Sequence, residues 1–398
     1  MAVSVLVQSP LSQIIVPVRF DRAVRGAPAL DAPDVDDRGF VLKTPDGLNK
    51  TNARGAMFGI TVGDTVRVKV VREDLDATAP LFVTVAPSSN PQVRIAAPPG
   101  GGPLPSDGIF TIEALADNTT PQKIHVRLGS TTGPIVGEAD PHTFSLLTLN
   151  ITPHIWKIHS ATGTPGAGPE PTVNGAAINL TTLFNIAKSV WRPMGISFNI
   201  NPERHDELFG GPFDNAITRD NAGPVGSDAD LVNRNFGEHT CNIHFVRFTP
   251  PVYLGIGIRR ETAPGLGFKK PGIIIGVEGL RRANGTFFTR PSAGADLEQE
   301  LGNDIAHEIG HFLTLPHSDN QNGATAPTDT YRRRQLMHPN NLLGGAATTG
   351  ARFDDIGYGV VGSQGHRGCL LLMKNHTTNA SGSEVISTRR RFRSDQLT

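Results

Sequence analysis

The 398-residue chain carries 37 Lys plus Arg against 37 Asp plus Glu, so no bulk field directs it to nucleic acid or an anionic membrane surface. No stretch approaches the roughly 20 consecutive apolar residues of a membrane span. The length allows two domains or more, and 44 Gly with 31 Pro and few long apolar runs indicate a β- and loop-rich protein of modest helix content.

Met1 to Pro10 lacks both a basic start and a sustained apolar core, so an ordinary secretory signal is absent or already removed. From Val3 to about Asn150, short β-type runs alternate with Pro, Gly and Asn: Ile14–Val18, Thr65–Val71, Leu81–Val85, Gln92–Ile95, Phe110–Leu115, Lys123–Leu128 and Phe144–Leu149. Val66, Val68 and Val70 alternate with Arg67, Lys69 and Arg72, as on a half-buried strand. Roughly seven strands at this spacing fit an all-β, immunoglobulin-like sandwich over residues 1–152. Such a module serves adhesion or targeting, or simply caps the C-terminal half of the chain.

The second half reads differently. Ile155–His159 is a first strand, and Ile178–Trp191 is a helix with Leu183, Ile186, Ala187 and Val190 on one face. Strands occupy Gly195–Ile200, Asn242–Arg247 and Gly272–Val277. Residues 296–313 form a second helix, with Glu298 and Glu300 near its positive end and Leu297, Leu301, Ile305, Ile309 and Leu313 as its apolar stripe. Pro316 cannot continue it. The order predicts an α/β (α+β) domain over 153–376 with a twisted mixed sheet, and then a polar tail, 377–398.

That second helix carries the most specific pattern in the chain, His307-Glu308-Ile309-Gly310-His311, with His317 six residues further on. Residues four apart share a helix face, so two imidazoles can meet one Zn²⁺ with the Glu308 carboxylate beside it. A third His beyond the helix end completes three protein ligands and leaves a fourth position open, as in a catalytic site. With 13 His in 398 residues, the five-residue pattern arises by chance in about one such chain in seventy, and with the third His in roughly one in two thousand. After Glu308 the only further glutamate, Glu384, lies in a Ser/Gly/Asn-rich tail, which speaks against a downstream Glu as third ligand.

The stretch resembles the metzincin metalloproteases, whose signature is His-Glu-x-x-His-x-x-Gly-x-x-His, and is most similar to their matrixin branch, where a Ser follows the third His, here Ser318. The resemblance implies a metzincin-like domain with a zinc-binding active-site helix. It implies one catalytic Zn²⁺ on His307, His311 and His317, with Glu308 as general base for the attacking water. The activity implied is endopeptidase cleavage of protein or peptide substrates. Thr314 replaces the signature's Gly, so the turn leading to His317 is built differently. Gln335-Leu336-Met337-His338-Pro339 resembles the family's Met-turn, and Pro339 stands where some members carry an additional Tyr ligand. Gly272–Val277, including Ile273, Ile274, Ile275 and Gly276, falls where such folds carry the edge strand that binds extended peptides. Its Ile run equally fits a plain buried strand.

Weaker features remain. Asp214, Asp220, Asp228 and Asp230 in a Gly/Asn-rich loop offer oxygens for Ca²⁺ or merely a solvated loop. Arg332–Arg334, Arg389–Arg391 and Arg393 read as solvated surface. Cys241 and Cys369 are too few for a disulfide framework. An extracellular or exported location is expected, with a cytoplasmic one as the alternative. The competing function is a non-catalytic, zinc-containing protein that binds carbohydrate or protein through a protease-like domain.

Overall fold

A computed structural model of the chain describes residues 18–22, 40–43, 55–72, 79–117, 122–162, 164, 168–192, 195–220, 223–234, 240–251, 253–258, 270–290, 295–313, 359–360 and 366–367. The protein is mixed α/β and strand-rich, with few helices among the described residues. These residues divide into two compact units. One runs from Val18 to Leu146 and takes in Arg192, Gly195 and a short strand pair at 359–367; the other runs from Leu147 to Trp191 and from Ile196 to Leu313.

The first unit contains β1 (Val18–Arg22), β2 (Phe40–Lys43), β3 (Gly55–Thr61), β4 (Thr65–Arg72), β5 (Leu81–Ala86), β6 (Val93–Ala97), β7 (Ile109–Ala114), β8 (Lys123–Leu128) and β9 (Ile135–Phe144). They form a four-stranded sheet, β1-β4-β7-β6, and a five-stranded sheet, β2-β3-β9-β8-β5. Pairing is antiparallel except between β3 and β9. Alternation along the strands places Val66, Val68, Val70, Phe110 and Ile112 of one sheet and Val83, Ile124, Val126 and Ala139 of the other in a single apolar core. The expected strands at Thr65, Leu81, Gln92, Phe110 and Lys123 are present with ends shifted by one or two residues. Ile14–Val18 lies almost entirely outside the described residues.

The second unit opens on β10 (Leu147–Ser160), a 14-residue strand that joins the end of the expected run at 144–149 to the one at 155–159, while Phe144 ends β9. The expected boundary at 152/153 therefore falls inside one strand. Pro153 cannot donate to a ladder, and it sits where the partner along one side of β10 changes from β13 (Ile196–Ile200) to β14 (Arg204–Gly211). Between β10 and β13 come the small pair β11 (Thr172–Val173) and β12 (Ala176–Ala177) and the helix α1 (Leu180–Trp191). The unit continues with α2 (Asp228–Asn233), β15 (Cys241–Thr249), β16 (Gly255–Ile258), β17 (Gly272–Arg281), β18 (Phe287–Thr289) and α3 (Ala295–Phe312). The sheet order is β13-β10-β15-β17-β16, with β14 also on β10 and β18 on β17. Strands β13, β14, β10, β15 and β17 run parallel, whereas β16 and β18 are antiparallel to β17. The pair β19 (Gly359–Val360) and β20 (His366–Arg367) belongs to the first unit.

Helix α1 buries Leu183, Ile186, Ala187 and Val190, the face its periodicity predicts. Phe184 meets Phe245 of β15 edge-on, at 6.3 Å between ring centroids. Helix α3 packs against α1, β16 and β17 and buries Leu297, Leu301, Ile305, Ile309 and Leu313, the whole predicted stripe. Trp156, Ile158, Leu208, Ile217, Leu231, Val232, Val246 and Ile274 make a separate apolar cluster in this unit. No helix of the described residues is long and apolar enough to cross a membrane.

Candidate metal centre

Four contacts dock α3 and so place its functional face. Gly302 meets α1 closely: a Cβ there would lie 2.6 Å from Ile186 Cβ, so only glycine permits this approach. Trp191, the last residue of α1, donates its buried indole N–H to the Ala306 carbonyl at 3.0 Å, one residue before His307. Strand β16 presents two glycines to the helix. A Cβ at Gly257 would stand 2.4 Å from the Glu308 carbonyl oxygen and 2.8 Å from His311 Cβ, and one at Gly255 would stand 2.8 Å from Glu308 Oε1. The alternating Gly255-Ile256-Gly257-Ile258 thus turns a side-chain-free face to the helix and its isoleucines to the opposite face. The fourth contact is ionic. Arg290, with a side chain 1% exposed, sends Nε to the Gly276 carbonyl at 2.9 Å, binds Glu300 through Nη1 and approaches Asp304 Oδ2 with Nη2 at 2.7 Å.

On the helix so fixed, His307, Glu308 and His311 come together, with one candidate ligand atom from each lying within 4.8 Å of the others. The two imidazoles meet edge to face, ring centroids 4.7 Å apart. His307 and Glu308 are buried and His311 is partly exposed. Among the described residues this is the one group of three or more metal-ligating side chains so gathered.

Glu308 is electrostatically distinct. Burial raises its proton affinity well above that of an ordinary carboxyl, the neighbouring Asp304 charge adds to the rise, and a hydrogen bond from the Gly257 amide acts the other way. Its Oε2 is buried and has no hydrogen-bond partner. A buried carboxylate oxygen without a donor is costly unless something positive or protic meets it. A divalent cation on the flanking imidazoles, or a water held by one, is what this oxygen suits chemically.

The other sequence-derived candidates fare variously. His317, Ser318, Thr314 and Met337 lie outside the described residues. The assignment of Ile273, Ile274, Ile275 and Gly276 to an edge strand is corrected by the topology. These residues lie in β17, between β15 and β16, and are fully covered, because a strand buried on both faces wants an unbroken Ile run rather than alternation. Among the described residues, the strand at that end of the sheet is β16. The loop aspartates do not converge on a common point. Asp214 accepts from the Ser160 amide at 2.7 Å. Asp228 takes the Tyr253 hydroxyl at 2.8 Å and the Ala229 amide at 2.9 Å, while Asp230 pairs with Arg234 at 2.9 Å. They tie the loop to its surroundings, and Asp228 and Asp230 fill the first turn of α2, where negative charge is favourable. Cys241 is a free, buried thiol of β15, pushed up in pKa by burial alone.

Sequence reasoning missed two polar clusters. The Arg290–Glu300–Asp304 group had a signal: Glu300, Asp304 and Glu308 recur every four residues and therefore share one helix stripe. The second lies on β10 and β15. His154 stacks on His244 with centroids 4.8 Å apart and is held by Asp206 at 2.9 Å and Asn242 at 3.1 Å. Trp156 donates to His244 Nδ1 at 3.0 Å, which makes Nε2 the protonated nitrogen of a neutral ring. That Nε2 is buried without an acceptor.

No family model matches the sequence, and no curated protein matches it significantly.

Proposed function

We propose that the chain is a zinc-dependent endopeptidase whose second unit is of the metzincin, matrixin-like type and whose first unit is an immunoglobulin-like sandwich. The observation that carries this reading is the docked triplet His307-Glu308-His311, with His307 and Glu308 buried and Glu308 Oε2 lacking a partner. The donor set fits Zn²⁺, a borderline cation that favours imidazole nitrogen, and His317 is proposed as its third ligand. When bound there, the ion supplies Lewis acidity, lowering the pKa of a coordinated water and polarising the scissile carbonyl.

The chain's own residues do the rest. Glu308 accepts a proton from the attacking water and returns it to the departing amide nitrogen. The Gly257 amide fixes the carboxylate's direction. The peptide is proposed to lie along β16, whose Gly255 and Gly257 let it pass close to Glu308 while main-chain hydrogen bonds hold it extended.

Zinc analysis of the purified protein, with cleavage of a peptide library before and after chelation, tests the reading. About one zinc per chain and chelator-sensitive cleavage are expected. Zinc-loaded protein that cleaves nothing would favour the non-catalytic alternative, and protein that takes up no zinc would end both.

A further inference from the structure

We infer that Arg290 is a positioning residue for the metal-binding helix, acting through a buried carboxylate pair rather than by touching substrate or ion. The inference rests on the metal reading of His307 and His311.

Arg290 comes between β18 and the helix, and its guanidinium contacts two carboxylates that are both on α3. Glu300 and Asp304 are 4% and 5% exposed, one turn apart, and Glu308 is a further turn along the same stripe. The third arm of the guanidinium, Nε, is fixed to the Gly276 carbonyl of β17 at 2.9 Å. A planar fork bound to the sheet at one arm and to two successive helix turns at the others fixes helix rotation and depth together. The three other docking contacts of α3 are one indole bond and two close glycine approaches, none of which carries charge.

Asp304 lies three residues before His307 and four before Glu308, so its side chain neighbours both on the helix surface. Freed from Arg290, it would offer a hard oxygen beside the imidazoles, competing with Glu308 for any cation there. Arg290 therefore does two things: it clamps the turn that precedes the ligands and keeps a rival carboxylate turned toward the sheet. A salt bridge that served stability alone would leave zinc affinity unchanged when it is removed from a protein that still folds. Replacing a buried ion-pair group with well-packed apolar residues of similar volume is often neutral for stability, which gives the means to separate the two roles.

The test uses the full chain as wild type, as Arg290→Lys, and as the apolar triple variant Arg290→Met, Glu300→Met, Asp304→Leu. Zinc affinity is measured by chelator competition and ligand geometry by the visible spectrum of the Co²⁺-loaded protein. Thermal unfolding of the metal-free forms serves as the folding control. The triple variant should unfold near the wild-type temperature yet bind zinc about 10- to 100-fold more weakly, the range typical of losing an outer-shell partner, with an altered Co²⁺ spectrum. Arg290→Lys keeps the charge but loses the fork, and should fall between the two. A folded triple variant with wild-type zinc affinity and spectrum would overturn the positioning role and leave the endopeptidase reading intact. Wild-type protein that binds no metal would overturn both.

Discussion

The two units handle buried polarity in opposite ways. In the first, the buried polar side chains among the described residues are Thr61, Gln122 and Thr143, and Gln122 is served on both ends: Oε1 accepts the Gln92 and Val93 amides, and Nε2 donates to the Pro87 carbonyl at 2.9 Å. In the second, His154, His244, Asp228, Arg290, Glu300, Asp304, His307 and Glu308 are all buried. Among the described residues, buried side-chain atoms without a hydrogen-bond partner include Gln92 Oε1 in the first unit. The second unit holds His159 Nε2, Asn215 Oδ1, His244 Nε2, Glu300 Oε2 and Glu308 Oε2, while Arg290 Nη2 and Asp304 Oδ2 meet each other as an ion pair at 2.7 Å. A core that only has to be stable satisfies or avoids such groups, because each orphan costs about 1–3 kcal/mol. Glu300 Oε2 and Glu308 Oε2 stand about two turns apart on one stripe of α3, the helix that carries the candidate metal-binding group.

The contrast is most sharply broken or upheld at Glu308. Glu308→Gln should retain zinc, because the imidazoles remain, and should unfold at no lower temperature, because a buried orphan charge has gone. Its peptidase activity should fall by about 10²- to 10⁴-fold, since an amide accepts no proton. Cleavage rates and zinc content measured together decide it. Near-wild-type cleavage would place the base elsewhere.

A mutation of comparable free energy in the first unit should do the reverse. Ile112 is fully buried in the apolar core of the first unit, and Ile112→Ala removes packed methyl groups, costing about 2–5 kcal/mol. Thermal unfolding should show that loss while zinc stoichiometry in the folded protein stays unchanged. Loss of zinc at temperatures where the protein remains folded would mean that the proposed zinc site depends on the first unit.

Gly257→Ala probes the contact that joins β16 to α3. The added methyl would fall 2.4 Å from the Glu308 carbonyl oxygen, a backbone atom that cannot swing aside, so α3 or β16 must shift. An overpacking cost of about 1–3 kcal/mol is expected, with weakened zinc binding because His311 Cβ is equally in the way. Gly63 of the first unit, with no heavy atom within 4 Å of an added Cβ, is the matched control. Its alanine variant strains φ at +85° but should leave zinc affinity untouched.

These same elements show what could be read in advance. The apolar stripes of α1 and α3 and the valine alternation of β4 were legible because periodicity is local. So was the His307-Glu308-His311 triplet, since helical spacing alone brings it to one face. The misplaced edge strand shows the limit. An isoleucine run reports burial on both faces, and only the pairing of Gly255–Ile258 with Gly272–Ile275 reveals which strand lies outside. Arg290 was illegible for a related reason: its partners are a carbonyl of β17 and two side chains on α3, 10 and 14 residues away, and no one-dimensional pattern marks such a fork. β3, Gly55–Thr61, escaped because its two glycines blur the alternation.

The smallest expected effect separates the second unit's two polar clusters by the sign of their pH dependence. Burial, and then the neighbouring His154, lower the His244 pKa well below 6.5 in the folded protein. The unfolded chain therefore binds the extra proton first, so this residue's contribution is fully present above pH 6.5 and declines as pH falls below it, by at most about 1.4 kcal/mol per pH unit. Asp304 behaves oppositely. Burial raises its carboxyl from 3.8 to about 6 against the opposing pull of Arg290, so its contribution is present below pH 3.8 and is lost as pH rises to about 6. In the metal-free wild type the two slopes partly cancel between pH 4 and 6, and only difference measurements resolve them. Unfolding free energies should be followed across that window for wild type, His244→Gln and Asp304→Asn. The glutamine still accepts the Trp156 indole N–H, so its stability relative to wild type should improve as pH falls. Asparagine cannot ionise, so Asp304→Asn should gain relative to wild type as pH rises. Difference slopes of the same sign for both variants would show that one of the two clusters is not buried as described.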